Sequence, residues 1–155
     1  MALHSAGMRA EELFQSAKRL VRADCYDSAI VALNQAIVQA PQSKLYDYRG
    51  VILSLILQNE AALESFARAL ELAVRDSERA EIYFHRGLLY GRDQLYEQAL
   101  LDFTRACRLN RFDPTYREAR DSVKEYYTSQ NAPAHLQAGA VAKGEQEEWA
   151  LPNQL

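Results

Sequence analysis

Residues that could perform catalysis or bind a metal ion are few in this chain and are scattered along it. The three histidines are His4, His85 and His135, and the two cysteines are Cys25 and Cys107. No two of these side chains have the sequence spacing of zinc ligands. Cys25 has no histidine near it in sequence that could activate its thiol as a nucleophile. We therefore predict no catalytic residue, no metal ion and no cofactor.

Motifs for nucleotide binding and for nucleophilic catalysis are also missing from the sequence. The chain contains no G-x-x-x-x-G-K-[ST], G-x-G-x-x-G or G-x-S-x-G motif. Its carboxylates, such as Glu11, Glu12, Glu78 and Glu81, occur where exposed helix faces are expected, which favours solvated charge over an acid–base pair. The sequence therefore argues against an enzyme.

Length and composition indicate one globular domain. The chain has 155 residues, of which 48% are hydrophobic and 25% are charged, and this balance is not that of a disordered chain. A net charge of −3 and a pI of about 5.6 argue against nucleic-acid binding, which usually needs a basic surface. The most apolar run, 51–57, is too short to span a bilayer, and no secretory signal begins the chain. We predict a cytoplasmic protein that does not insert into membranes.

A pattern of small and large residues recurs three times along the chain. Each copy has alanine, a large residue and a small residue at positions i, i+4 and i+7, which places all three on one face of a helix. The copies are Ala29, Leu33, Ala36; Ala62, Phe66, Ala69; and Ala99, Phe103, Ala106. Alanine allows a neighbouring helix to approach closely, and the large residue fills the remaining space.

A second pattern with the same spacing precedes each of these copies. Its members are Leu13, Ala17, Leu20; Tyr46, Gly50, Leu53; and Tyr83, Gly87, Tyr90. Glycine within a helix costs about 1 kcal/mol relative to alanine, so Gly50 and Gly87 indicate a close helix contact that compensates for it. The repeating unit is therefore a pair of helices, and it recurs after 33 and then 37 residues. This difference predicts a longer second helix, or a longer turn after it, in the second unit.

Local signals mark several helix ends. Ser43 and Ser77 stand where helix N-caps are expected, and Pro41 cannot continue the helix before it. Asp113 followed by Pro114 is a helix start, and apolar residues at helical spacing follow it. The sequence thus predicts a seventh helix that covers the last apolar face of the repeats.

These patterns resemble the tetratricopeptide repeat, a helix pair with small and large residues at fixed places of a 34-residue unit. The resemblance covers roughly residues 10–112, although Leu13 replaces the first aromatic residue and the closing proline is present only as Pro41. It implies an all-α fold, a right-handed α-solenoid of three antiparallel helix pairs plus a seventh capping helix. The expected parts are an N-terminal extension (1–9), repeats at about 10–42, 43–79 and 80–112, a capping helix (114–128) and a flexible tail (129–155).

The resemblance also implies a function, because the first helices of such repeats line a concave groove that binds a peptide or a helix of a partner protein. We expect an apolar floor formed by Phe14, Tyr48, Val51, Leu55, Phe84 and Leu88. The full set of predicted partner-binding residues is Phe14, Lys18, Tyr48, Val51, Leu55, Phe84, His85, Leu88 and Arg92. Alternatively, some of these side chains contact the seventh helix, the N-terminus or the tail instead.

One family role is not expected for this chain. Some relatives bind the C-terminal carboxylate of Hsp70/Hsp90 with lysine, asparagine and arginine at five places of the groove. This sequence has Phe14, Lys18, Tyr48, Glu81 and His85 at those places, and the Glu81 carboxylate would repel the ligand. We therefore predict that the chain does not bind this carboxylate.

Two functional alternatives and one question about the tail stay open from the sequence. The first alternative is an adaptor that binds an apolar peptide or helix of a partner protein durably in the concave groove, and the second is a dedicated chaperone for a secretion or assembly subunit. In the tail, an acidic run ends at Trp149. This segment is either solvated, a partner motif, or a motif that docks in the groove of its own chain.

Overall fold

The computed structural model describes residues 2–131, with side chains from Ser5 onward. This part of the chain contains helices only, so the predicted all-α class is confirmed for it. The helices are α1 (Ala2–Arg22), α2 (Tyr26–Gln39), α3 (Ser43–Leu55), α4 (Asn59–Leu72), α5 (Asp76–Arg92), α6 (Tyr96–Leu109) and α7 (Pro114–Gln130).

The first six helices form three pairs that stack into a solenoid. α1 packs against α2, α3 against α4 and α5 against α6, and each pair contacts the next through α2 with α3 and α4 with α5. α7 packs on α6 and closes the array. Each pair contributes to a separate apolar cluster, and the third cluster includes Tyr116 and Val123 of α7. These two side chains are 8% and 1% exposed, so α7 covers the last repeat as expected.

The two helical glycines mark the tightest contacts within the pairs. A Cβ atom on Gly50 would lie 2.7 Å from the ring of Phe66, and one on Gly87 would lie 2.7 Å from the ring of Phe103. Such distances are shorter than real side chains allow, so only glycine permits these helices to approach. The structure thus confirms that close packing compensates for glycine within a helix.

The turns inside the three pairs share one backbone feature. Asp24, Leu57 and Gln94 adopt left-handed conformations with φ of 56°, 62° and 61°, and each lies just after the first helix of its pair. These positions are separated by the same intervals as the repeats themselves. The turn geometry therefore follows the repeat, although only Asp24 belongs to a residue type that tolerates this conformation well.

The start of α5 holds the extra residues of the longer repeat interval. α4 has 14 residues, as do α2 and α6, but α5 has 17 residues and α3 has 13. The expectation of a longer second helix or turn in repeat 2 is therefore wrong. The boundary expected between 79 and 80 falls within α5, which begins at Asp76.

Other helix ends differ from the sequence expectations in part. Gln42 and Arg75 are the N-caps of α3 and α5, so Ser43 and Ser77 are not. The Ser43 hydroxyl instead donates to the carbonyl of Ala69 at 2.9 Å, which ties α3 to α4. The Asp113 cap is confirmed, because its carboxylate accepts a hydrogen bond from the Thr115 backbone N–H at 2.9 Å.

Both ends of the chain bear on the predicted domain limits. α1 begins at Ala2, so residues 2–9 continue the first helix instead of forming a separate extension. α7 continues to Gln130, two residues beyond the expected end of the capping helix. Most of the expected tail, including Trp149, lies outside the described residues. Within residues 2–131, no helix is both long enough and apolar enough to cross a bilayer.

Candidate peptide-binding groove

The first helices of the three pairs carry the positions that the sequence predicts to line a groove, and this set is here called the groove face. Its residues are Glu11, Phe14, Gln15, Lys18, Val21 and Arg22 of α1; Lys44, Asp47, Tyr48, Val51, Ser54 and Leu55 of α3; and Glu81, Phe84, His85, Leu88, Gly91 and Arg92 of α5. Side chains of this set join the helices: Lys44 pairs with Glu11 at 2.6 Å, and His85 pairs with Asp47 at 2.9 Å. The predicted positions are therefore brought together across α1, α3 and α5.

Between α1 and α3, the groove face is built around one aromatic pair. The ring of Tyr48 meets the ring of Phe14 edge-on, with 5.3 Å between the centroids. The ammonium groups of Lys18 and Lys44 lie 4.4 Å and 5.2 Å from the Phe14 centroid, within cation–π range. Phe14 is thus covered by its neighbours and is only 7% exposed.

The expected apolar floor is narrower than the sequence suggested. Phe14, Val51 and Phe84 are 7%, 6% and 8% exposed, so most of their surface is covered within the chain and little of it is open to a partner. Phe84 packs against Tyr116 of α7, with 5.1 Å between ring centroids, which confirms for this residue the alternative that the seventh helix covers it. Tyr48, Leu55 and Leu88 are half-buried, so these three remain accessible apolar side chains on the groove face.

The positively charged side chains of the groove face differ in whether they have a bonding partner. Arg92 is held at the end of α5, because its guanidinium donates to the Ser54 carbonyl and to Asn59 Oδ1. Lys18 and Arg22, in contrast, have no carboxylate in ion-pair range among the described residues. Two cations are therefore available at the α1 end, beside Tyr48.

Tyr48 also has an unusual hydroxyl group. The oxygen is buried and has no hydrogen-bond partner within the part of the chain that the structure describes. Burial raises the pKa of this hydroxyl, and the nearby charge of Arg22 opposes the effect. A buried hydroxyl without a partner costs free energy.

An acidic cluster with one histidine lies between α3 and α5. Nδ1 of His85 is 3.0 Å and 2.9 Å from the two carboxylate oxygens of Asp47. Burial alone would lower the pKa of His85, but the Asp47 carboxylate, assisted by Glu81, raises it above its usual value. Burial raises the pKa of Glu81, with Asp47 and Glu78 adding to the effect and His85 opposing it.

The phenol of Tyr116 borders this cluster from α7. Burial, chiefly, raises the pKa of Tyr116 to about 12, and the negative charges of Asp113, Glu81 and Asp47 contribute. The α5 end of the groove face is therefore acidic, whereas the α1 end carries unpaired cations.

Sequence reasoning did not bring Asp47, Glu81 and His85 together as one cluster. The available signal was the spacing of Glu81 and His85, which are four residues apart and so share a helix face. Asp47 lies 38 residues before His85, and only the stacking of α3 on α5 shows that they meet.

The fold is shared with solved structures of tetratricopeptide-repeat domains. One is titled "Arabidopsis OM64 TPR domain"; it is 16% identical, with a TM-score of 0.69, over 78% of this chain and 98% of that chain. Another is titled "First TPR of Spaghetti (RPAP3) bound to HSP90 peptide SRMEEVD"; it is 19% identical, with a TM-score of 0.69, over 79% of this chain and 96% of that chain. No family model matches the sequence, and no curated protein does. The chain therefore has the tetratricopeptide-repeat fold, as its repeat pattern predicted.

Proposed function

We propose that this chain is a non-enzymatic protein-interaction module that binds a peptide or helix of a partner protein on the groove face. The observation that carries the proposal is the α1 end of this face, where Tyr48 and Leu55 are half-buried and two cations have no ion-pair partner among residues 2–131. Apolar side chains beside unpaired charges suit a ligand with both apolar and acidic groups. One protein with the same fold is titled as bound to a peptide, which supports the same use of the groove here.

The proposed ligand carries acidic groups in addition to the apolar groups of the peptide or helix that the sequence predicted. Because Phe14, Val51 and Phe84 are buried, the accessible floor consists of Tyr48, Leu55 and Leu88. With so few accessible apolar side chains, charge contributes more than apolar contact to the selectivity for a ligand. No observation on the described residues favours the chaperone alternative, so the adaptor is the proposal. We place it in the cytoplasm, since the exposed Cys25 carries a free thiol.

The charges at the clamp places argue against the Hsp70/Hsp90 C-terminal carboxylate as a ligand. Of the five clamp places, only Lys18 offers a cation without an ion-pair partner among the described residues. The ring of His85 is bound to Asp47, and Glu81 adds a negative charge beside it. We propose that the peptide SRMEEVD does not bind this chain. Titration calorimetry with that peptide tests the point, and micromolar affinity would show that the chain is a chaperone partner after all.

The groove proposal is tested with matched double variants on opposite faces. The groove variant is Arg22→Glu with Leu55→Gln, and the control is Arg68→Glu with Leu101→Gln on the second helices. Leu101 is 52% exposed, so the control changes the same residue types without touching the groove face. Val51 is unsuitable as a target, because it is 6% exposed and its substitution would destabilise the domain.

The measurement is affinity capture from source-cell lysate, followed by calorimetry with a synthetic peptide from the captured protein. We expect the native chain and the control to retain the same protein and the groove variant to lose it, with affinity for the peptide at least about tenfold weaker. Circular dichroism checks that both variants fold. Equal retention by the two variants would place the binding surface elsewhere.

A further inference from the structure

The cluster between α3 and α5 has the composition and spacing of a metal site. Asp47, Glu81 and His85 each offer one ligand atom, and these three atoms lie within 4.8 Å of one another. Zinc ligands approach one ion at about 2.0–2.2 Å from nitrogen and oxygen, so only small side-chain movements separate this arrangement from coordination. One imidazole and two carboxylates are therefore already close together between α3 and α5.

The fold places these ligands from two rigid helices. Glu81 and His85 are one turn apart on α5, so their side chains project from the same face. Asp47 is 8% exposed on α3 and is held opposite them by its contact with His85. Sites built on helices hold their ligands more accurately than sites built on loops.

The charge of the cluster favours a cation. Two carboxylates face one imidazole, and Glu81 has neither a hydrogen bond nor an ion pair with any other described residue. A divalent ion would balance that charge directly.

We propose that Asp47, Glu81 and His85 together bind one divalent transition-metal ion, with Zn²⁺ as the best match. The imidazole nitrogen favours Zn²⁺ and its neighbours in the series over Mg²⁺ and Ca²⁺, which prefer oxygen ligands. Three protein ligands would leave the fourth position of a tetrahedral ion to water or to another ligand. Without metal, the Asp47 carboxylate pairs with the His85 ring; on binding, His85 coordinates as neutral imidazole, and a proton leaves if the ring was charged.

The first test is calorimetric titration of the full 155-residue chain with Zn²⁺ after removal of metal by a chelator. We expect one site per chain of micromolar or tighter affinity. His85→Gln and Glu81→Gln are each expected to weaken it by about tenfold or more. Glu81 lies at the exposed rim, so Glu81→Gln keeps the test valid even if His85→Gln impairs folding.

Matched controls separate this cluster from other donors of the chain. Glu12→Gln removes a carboxylate of the exposed face of α1, and His135→Gln removes a histidine outside the described residues. Both controls should bind Zn²⁺ as the native chain does. An equal loss in a control and in Glu81→Gln, or no binding by the native chain, would overturn the proposal.

Cobalt substitution provides a second readout of the ligand set. Co²⁺ bound at this cluster should absorb visible light as cobalt with nitrogen and oxygen ligands does. This absorption should disappear in Glu81→Gln. Intense near-ultraviolet bands of cobalt–thiolate bonds would instead place the metal on Cys25 or Cys107 and would contradict the assignment. The proposal does not depend on the groove function, because both measurements use the metal alone.

Discussion

Repeats 2 and 3 place an arginine at the same position, but its partner on the second helix differs. In repeat 3, Arg86 forms two hydrogen bonds with the Asp102 carboxylate, at 2.7 Å and 2.9 Å, and Arg105 adds a third at 3.0 Å. In repeat 2, Arg49 donates to the neutral hydroxyl of Ser65 at 3.1 Å and reaches back to Asn34 of repeat 1 at 2.8 Å. The arginine at this position thus forms an ion pair in repeat 3 and a hydrogen bond to a neutral hydroxyl in repeat 2.

The pKa shifts of the two arginines have opposite directions for this reason. Burial lowers the pKa of Arg49, and only the more distant Tyr46 and Glu64 oppose it. Burial has the same tendency at Arg86, but the Asp102 carboxylate outweighs it, so the pKa of Arg86 is raised. The arginine at this repeat position can therefore have either a carboxylate or a neutral hydroxyl as its partner on the second helix.

The largest predicted effect comes from removing the buried partner of the ion pair. Asp102 is 1% exposed, so Asp102→Ala leaves the Arg86 guanidinium without its carboxylate in a poorly solvated place. We expect a loss of about 3–5 kcal/mol in the free energy of unfolding. Urea denaturation followed by circular dichroism measures it, with Asp121→Ala on the exposed face of α7 as the control. A loss below about 1 kcal/mol would show that Arg86 escapes to water.

The glycine contacts provide a case in which the two repeats should respond alike. Gly50→Ala and Gly87→Ala each place a methyl group 2.7 Å from a phenylalanine ring that is at most 1% exposed. Because the rings cannot move outward, we expect each substitution to lower the free energy of unfolding by about 1–3 kcal/mol. The same denaturation measurement applies, and Gly7→Ala, with open space around its Cβ position, is the control. Unequal losses would show that one pair repacks more easily.

Ser65→Ala removes the neutral counterpart of Asp102. The Ser65 hydroxyl accepts from Arg49 and donates to the Ala61 carbonyl at 2.9 Å, but Arg49 keeps its bond to Asn34. We therefore expect a loss of only about 1 kcal/mol in the free energy of unfolding. Parallel denaturation of Ser65→Ala and Asp102→Ala measures the difference between the repeats. Equal losses would remove the energetic distinction drawn between the ion pair and the neutral bond.

The smallest predicted effect is a gain in the turns. Leu57 and Gln94 hold left-handed conformations that cost a residue with a Cβ atom about 1–2 kcal/mol relative to glycine. Leu57 is 72% exposed, so Leu57→Gly gives up little packing. Glycine also has greater freedom in the unfolded chain, which offsets part of this gain. We therefore expect Leu57→Gly and Gln94→Gly each to raise the free energy of unfolding by about 0.5 kcal/mol. Thermal denaturation should show a slightly higher midpoint for each variant. Val31→Gly, inside helix α2, should instead destabilise the chain.

The helix pairs were predictable from sequence because their cores depend on local spacing. Ala62, Phe66 and Ala69 are all 0% exposed, as their placement on one helix face requires. Helix ends were less predictable: Ser43 has the residue type of an N-cap but uses its hydroxyl on the Ala69 carbonyl. An interaction with a residue 26 positions away has no signal in the local sequence.

The groove face likewise has features that the sequence predicts and features that it does not. Its positions were predictable, since they follow from the repeat register, but the exposure of each side chain was not. Phe14 is covered by Lys18, Lys44 and Tyr48, and Phe84 is covered by Tyr116 of the capping helix. Exposure depends on every neighbour at once, and these neighbours come from three different helices.

The sequence by itself determined the repeat, the helix pairing and the positions on the groove face, because apolar periodicity and small residues act within one helix or between adjacent ones. Only the tertiary structure decided which groove residues remain accessible and that Asp47, Glu81 and His85 meet. The physical reason is range: helical spacing orders side chains over one or two turns, whereas burial, charge pairing and ligand clusters depend on segments that stacking brings together from distant parts of the chain.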